Sequence, residues 1–91
     1  MKKFIVIAYD VEDDRQRRQV AKLLQATGRR VNKSVFECFI TERQLEKLQG
    51  KIARCVTRHD SVLYYRLCRS CIERIGRQGV PMAPIEIVKV F

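Results

Sequence analysis

The chain opens on an apolar run, Phe4-Ile5-Val6-Ile7-Ala8-Tyr9, that ends on the carboxylate Asp10. Short β-branched runs without Gly or Pro belong in the middle of a sheet. They predict a first strand over about Lys3–Tyr9. A polar loop, Asp10 to Asp14, follows, and the apolar spacing then changes. At about 100° per residue, Val20, Leu23, Leu24 and Thr27 share one helical face. A helix is expected from Asp14 to Thr27, with Asp13 and Gln16 as a variant capping box and Gly28 as its stop. Arg15, Arg18 and Lys22 lie opposite the apolar stripe, in solvent. Arg17 falls at the edge of that stripe, near the sheet.

A long second strand is expected over Arg30–Ile40. Its alternation fails once, because Val31 and Phe36 fall on opposite parities. A bulge or bend near Asn32–Ser34 would account for that. A second helix starts near Thr41, where Thr41 and Gln44 match a capping box. Leu45, Leu48, Ile52 and Cys55 or Val56 form its core stripe. After the turn Arg58-His59-Asp60 a third strand covers Ser61–Cys68. Residues 69–79 are expected to hold a short helical turn around Ile72–Ile75, and Ile85–Phe91 reads as a last strand.

Strands and helices interleave too few times for a doubly wound sheet. The order implies an α+β, ferredoxin-like βαββαβ domain with an extra C-terminal strand, both helices lying on one sheet face. The other face is then bare. Apolar residues on both parities of the later strands suggest that a second protomer covers it.

The 91 residues suffice for a single domain with a small core, and so short a chain gains from dimerisation. No segment approaches the roughly 18 consecutive apolar residues of a membrane span. Nor does the start read as a secretory signal, so a cytoplasmic protein is expected. Cys38, Cys55, Cys68 and Cys71 are then expected to be reduced and partly buried. Cys68 and Cys71 have C-x-x-C spacing, but no second pair of that spacing follows to make a zinc site. They are read as local packing.

Charge changes the picture most. Lys and Arg number 19 against 10 Asp and Glu, a formal net charge of +9. Between Arg15 and Phe36 lie seven basic residues and no acid: Arg15, Arg17, Arg18, Lys22, Arg29, Arg30 and Lys33. A patch running from a helix into the next strand points to nucleic acid. Catalytic classes fall away by residue type. His59 is the only histidine, and no phosphate-cradling glycine loop occurs. What remains is carboxylate chemistry at Asp10, Glu12, Asp13, Asp14 and Glu37. A strand-end Asp10 could help hold Mg2+, with a two-fold partner's carboxylate as the second ligand. Equally, it could cap a turn or pair with Arg17. Tyr9, Phe36 and Tyr64 could stack on bases, or serve in core and interface.

Tyr9-Asp10-Val11-Glu12-Asp13-Asp14, Arg17-Arg18, Gly28, Arg30-Val31-Asn32 and Ser34-Val35-Phe36-Glu37-Cys38 together resemble the CRISPR-associated protein 2 family. The likeness continues through Asp60-Ser61-Val62, Leu67-Cys68 and Cys71. Asn32 stands where many relatives carry Gln. The resemblance implies a ferredoxin-like homodimer in which the segment 78–91 adds a strand to the partner's sheet. It implies that Asp10 lies at the dimer interface as the Mg2+ ligand of a metal-dependent endonuclease acting on single-stranded RNA or double-stranded DNA. Tyr9, Arg17, Arg30 and Phe36 match positions implicated in that activity, and Ser34 belongs to the same block. It equally implies an alternative: a non-catalytic dimer that bridges the CRISPR integrase subunits and contacts the DNA backbone. A general RNA-binding module is disfavoured, since the aromatic spacing of an RNP motif is absent.

Overall fold

The computed structural model describes residues 1–79. The elements are β1 (Lys2–Asp10), α1 (Asp14–Gln25), β2 (Gly28–Asn32), β3 (Val35–Thr41), α2 (Glu42–Ala53), β4 (Ser61–Leu67) and α3 (Arg69–Glu73). The strands form one sheet in the order β2-β3-β1-β4, with each neighbouring pair antiparallel. This is the expected α+β, ferredoxin-like arrangement. The expected last strand, Ile85–Phe91, lies outside the described residues.

Register decides which side chains meet. Ile7 of β1 sits opposite Phe36 of β3 and Tyr64 of β4, and Ile5 sits opposite Cys38. Side chains alternate between sheet faces, so Ile5, Ile7 and Tyr9 share a face with Phe36, Cys38 and Ile40. They pack there against Val20 and Leu24 of α1 and Leu45, Leu48 and Ile52 of α2. Phe36, Ile5 and Ile7 are wholly buried.

Both helices start where the residue types predict. The Asp13 carboxylate accepts the Gln16 N–H at 2.9 Å. Thr41 and Gln44 close a reciprocal box at 2.8 and 3.1 Å. The end of α1 differs from expectation. It stops at Gln25, and among the described residues Gly79 alone has a positive φ, so Gly28 is no left-handed cap. Gly28 instead opens β2. A Cβ there would collide with the Glu37 carbonyl oxygen and the Cys38 sulfur.

The expected strand Arg30–Ile40 is two strands. β2 and β3 fold back on each other through Lys33 and Ser34, and their register shifts between Arg30 and Asn32. The turn, beside that bulge, is what puts Val31 and Phe36 on opposite parities. The turn lacks Gly and Pro; Asn32 Oδ1 accepts the Lys33 N–H at 2.7 Å.

On the second face, α3 packs against β4 and Ile72 and Phe4 are buried. Beyond α3 the chain reaches β3, where Arg77 Nη2 donates to both Glu37 oxygens at 2.7 and 2.8 Å. Residues 69–79 therefore strap this face from β4 across β1. The rest stays open, with Leu63 50% and Tyr65 51% exposed. No helix among the described residues is long and apolar enough to cross a membrane.

Candidate functional site

Asp10 is the last residue of β1, held in register opposite Ser61 of β4. It shares parity with Val6 and Ala8 and therefore belongs to the open face. It is exposed. Among the described residues its carboxylate makes no hydrogen bond or ion pair. The alternatives of a turn cap or a pairing with Arg17 are not realised. Arg17 Nη1 donates instead to the carbonyls of Val11 (3.0 Å) and Glu12 (3.3 Å), and its other nitrogen pairs with Asp14.

The loop after Asp10 is fixed at three places. Val11 is 2% exposed and plugs into the core. Arg17 holds two of its carbonyls. Asp60, from the turn before β4, accepts the Glu12 N–H at 3.1 Å and the Thr57 N–H at 2.9 Å. Those amides, Thr57 first and then Glu12, hold the Asp60 carboxyl below its ordinary value. A rigid support keeps a reactive group in place. Asp60 was not singled out from sequence for this role. Its one local signal is Thr57 three residues earlier, whose hydroxyl also faces the carboxylate at 3.3 Å.

Tyr9, Phe36 and Arg30 come together on the helix-covered side. The Tyr9 ring lies 6.3 Å from the Phe36 ring at 29°, and the Arg30 guanidinium lies 5.2 Å from the Phe36 centroid. Tyr9 is nearly buried and Phe36 wholly so, which closes both rings to stacking on bases. The Tyr9 hydroxyl donates to the Lys33 carbonyl at 3.4 Å, and the Tyr9 N–H to the Ser34 carbonyl at 3.0 Å. The stack thereby joins the β2–β3 turn to the end of β1.

The basic residues divide. Arg15, Arg18 and Lys22 of α1 line a groove of about 390 Å³ together with Arg30 of β2. Arg29 pairs in register with Glu37, on the other face, and Lys33 lies exposed in the turn. Asp10 is therefore not in the groove. A second groove, missed from sequence, carries Lys2, Lys47 and Lys51 beside Phe39 and Leu48. Among the described residues no three His, Cys, Asp or Glu side chains cluster to hold a metal. The four cysteines are free thiols. Cys38 is buried and Cys55 half-buried, but Cys68 and Cys71 are exposed, against the expectation of partial burial. The short helix that begins after Cys68 and carries Cys71 buries only Ile72.

Residues 2–75 match the family model described as CRISPR associated protein Cas2. A CRISPR-associated endoribonuclease Cas2 of Thermus thermophilus is 42% identical over 77 residues, spanning 84% of this chain and 82% of that relative. The crystal structure of Streptococcus pyogenes Cas2 superposes with a TM-score of 0.75 at 28% identity, over 84% of this chain and 99% of that one. A chain of a partial Cas6-RT-Cas1–Cas2 complex superposes at 0.74 and 28% identity, over 93% and 99%.

Proposed function

The chain belongs to the CRISPR-associated protein Cas2 family, and on that premise we propose that it is a Mg2+-dependent endonuclease of CRISPR adaptation. The substrate would be single-stranded RNA or double-stranded DNA. The observation that carries this reading is Asp10: an exposed carboxylate with no partner among the described residues, on a rigid strand end, in a chain of net charge +9.

The donor set fits magnesium in part. Mg2+ takes one or two carboxylates and leaves its other positions to water and phosphate oxygens. Asp10 supplies one. A homodimer formed across the open face, where Leu63 and Tyr65 are exposed, would bring a second Asp10 from the two-fold partner. Bound there, the ion would neutralise phosphate charge and make a water a better nucleophile. This chain's own residues bind and orient the substrate. Arg15, Arg18, Lys22 and Arg30 hold backbone phosphates in the groove, and Lys33 adds a cation beside the end of β1. Tyr9 and Phe36 position Arg30 and the turn. Arg17 and Asp60 hold the loop that follows Asp10.

A second reading is a non-catalytic DNA scaffold that bridges CRISPR integrase subunits. The observation that favours it is the separation of Asp10 from the basic groove onto opposite faces of the sheet. Cleavage of labelled single-stranded RNA and duplex DNA by wild type and Asp10→Asn, with magnesium or EDTA, tests the first reading. Cutting by wild type with magnesium alone is the expected result. No cutting, or equal cutting by the variant, sinks the nuclease and leaves the scaffold, whose spacer acquisition Asp10→Asn would not impair.

A further inference from the structure

Two exposed thiols have no part in the carboxylate site or the basic groove. Cys68 is the first residue after β4, and Cys71 follows one helical turn later in α3. Their sulfurs are 3.5 Å apart. A disulfide needs about 2.05 Å, and the two residues stand one helical turn apart, at C-x-x-C spacing. The Ser70 hydroxyl lies 3.2 Å from the Cys68 sulfur. Hydrogen bonds from Ser70, then from Cys71, bring the Cys68 thiol down to about 7, while burial pushes Cys38 up to about 11. The other half-buried thiol, Cys55, faces the Lys51 carbonyl at 3.6 Å. The described residues thus hold one pair of thiols that is close and open to solvent; Cys68 is the acidic member, and its hydrogen bond and charge raise the Cys71 thiol.

Its position matters. Cys68 is the root of the strap that runs through α3 to the Arg77–Glu37 bridge and covers part of the open face. Metal binding is less well supported, because no third ligand stands nearby among the described residues.

We propose that Cys68 and Cys71 form a dithiol–disulfide site that exchanges with low-molecular-weight disulfides of the glutathione class, and that its oxidation fixes the root of the strap. The Cys68 thiolate attacks one sulfur of the small disulfide. A mixed disulfide forms, and the released thiolate takes a proton from water. Cys71 then attacks the Cys68 sulfur, its proton passing to the second departing thiolate. Two protein thiols are oxidised to one disulfide, and one small disulfide is reduced to two thiols. The proposal is independent of any nuclease activity.

The test equilibrates the full chain in glutathione redox buffers, quenches with acid, alkylates, and maps peptides by mass. The expected product is an intramolecular Cys68–Cys71 disulfide. Cys71→Ser should stop at glutathione on Cys68, and Cys68→Ser should block exchange at residue 71. Cys68 should alkylate about tenfold faster than Cys55 at neutral pH. Trypsin should cut after Arg74 several-fold more slowly in the oxidised form. Equal alkylation rates, disulfides between copies, unchanged cleavage at Arg74, or zinc that protects both thiols until a chelator is added would each overturn the proposal.

Discussion

One sheet presents two faces that are finished to different degrees. The helix-covered face is complete within the protomer: Ile5, Ile7, Tyr9, Phe36, Cys38 and Ile40 are all buried there. The opposite face is only half covered. On it Phe4 is buried and Arg77 shields Glu37, yet Leu63 and Tyr65 stay about half exposed. Both faces draw on the same alternating strands, so the difference lies in what is laid over them. β1 shows it most clearly. Tyr9 turns into the core, while Asp10, one residue on, belongs to the open face. A one-residue slip of register would exchange them. The closed face fixes the strand, and the fixed strand holds a carboxylate at the margin of a surface that has room for a partner.

The comparison breaks most sharply at Phe36. Phe36→Ala removes a wholly buried ring that touches both Tyr9 and Arg30. A loss of about 3–5 kcal/mol is expected in urea unfolding, enough to unfold much of so small a domain. A cost under about 1 kcal/mol would mean that the closed face is not the main source of stability. The open face should behave in the opposite way. Leu63→Glu and Tyr65→Glu replace half-exposed side chains, so the protomer should lose only about 0.5 kcal/mol each. Their effect should fall on association. If the proposed homodimer forms across this face, sedimentation should find the variants monomeric at concentrations where wild type associates, because two-fold symmetry would place the new charges in one desolvated interface. Unchanged association would place any dimer contact elsewhere.

What could be read from the sequence was local. Asp13 with Gln16, and Thr41 with Gln44, announced both helix starts because a capping residue acts within one turn. The parity of β1 placed Asp10 at a strand end. The β2–β3 turn was not legible, since Asn32-Lys33-Ser34 lacks the glycine or proline that usually marks one. Gly28 looked like a helix stop, but what requires it is the close approach of β3. The supports of the site were hidden for the same reason. Glu12 and Asp60 are 48 positions apart, and Arg77 and Glu37 are 40 apart. The basic patch was legible as charge. Its division between two faces was not, because that depends on the turn.

The smallest expected effect concerns the tether between the two faces' common edge and the loop after Asp10. The Asp60 carboxyl is held below its ordinary value of 3.8 by the amides of Thr57 and Glu12. A depressed acid contributes its stabilisation fully above the unfolded value and loses it as pH falls through the folded one. The tether should therefore be intact at neutral pH and release only in acid, below the ordinary carboxylate range. Because Asp60 is solvent-accessible, the release should be local rather than global. Amide resonances of Glu12 and Thr57 are expected to move together on acidification, because both donate to the Asp60 carboxylate. Asp60→Asn should remove the shared transition and leave the Phe36 core unchanged. If the Glu12 and Thr57 resonances titrate separately, or persist in Asp60→Asn, the loop is held by Val11 and Arg17 alone, and Asp10 owes its position to the closed face.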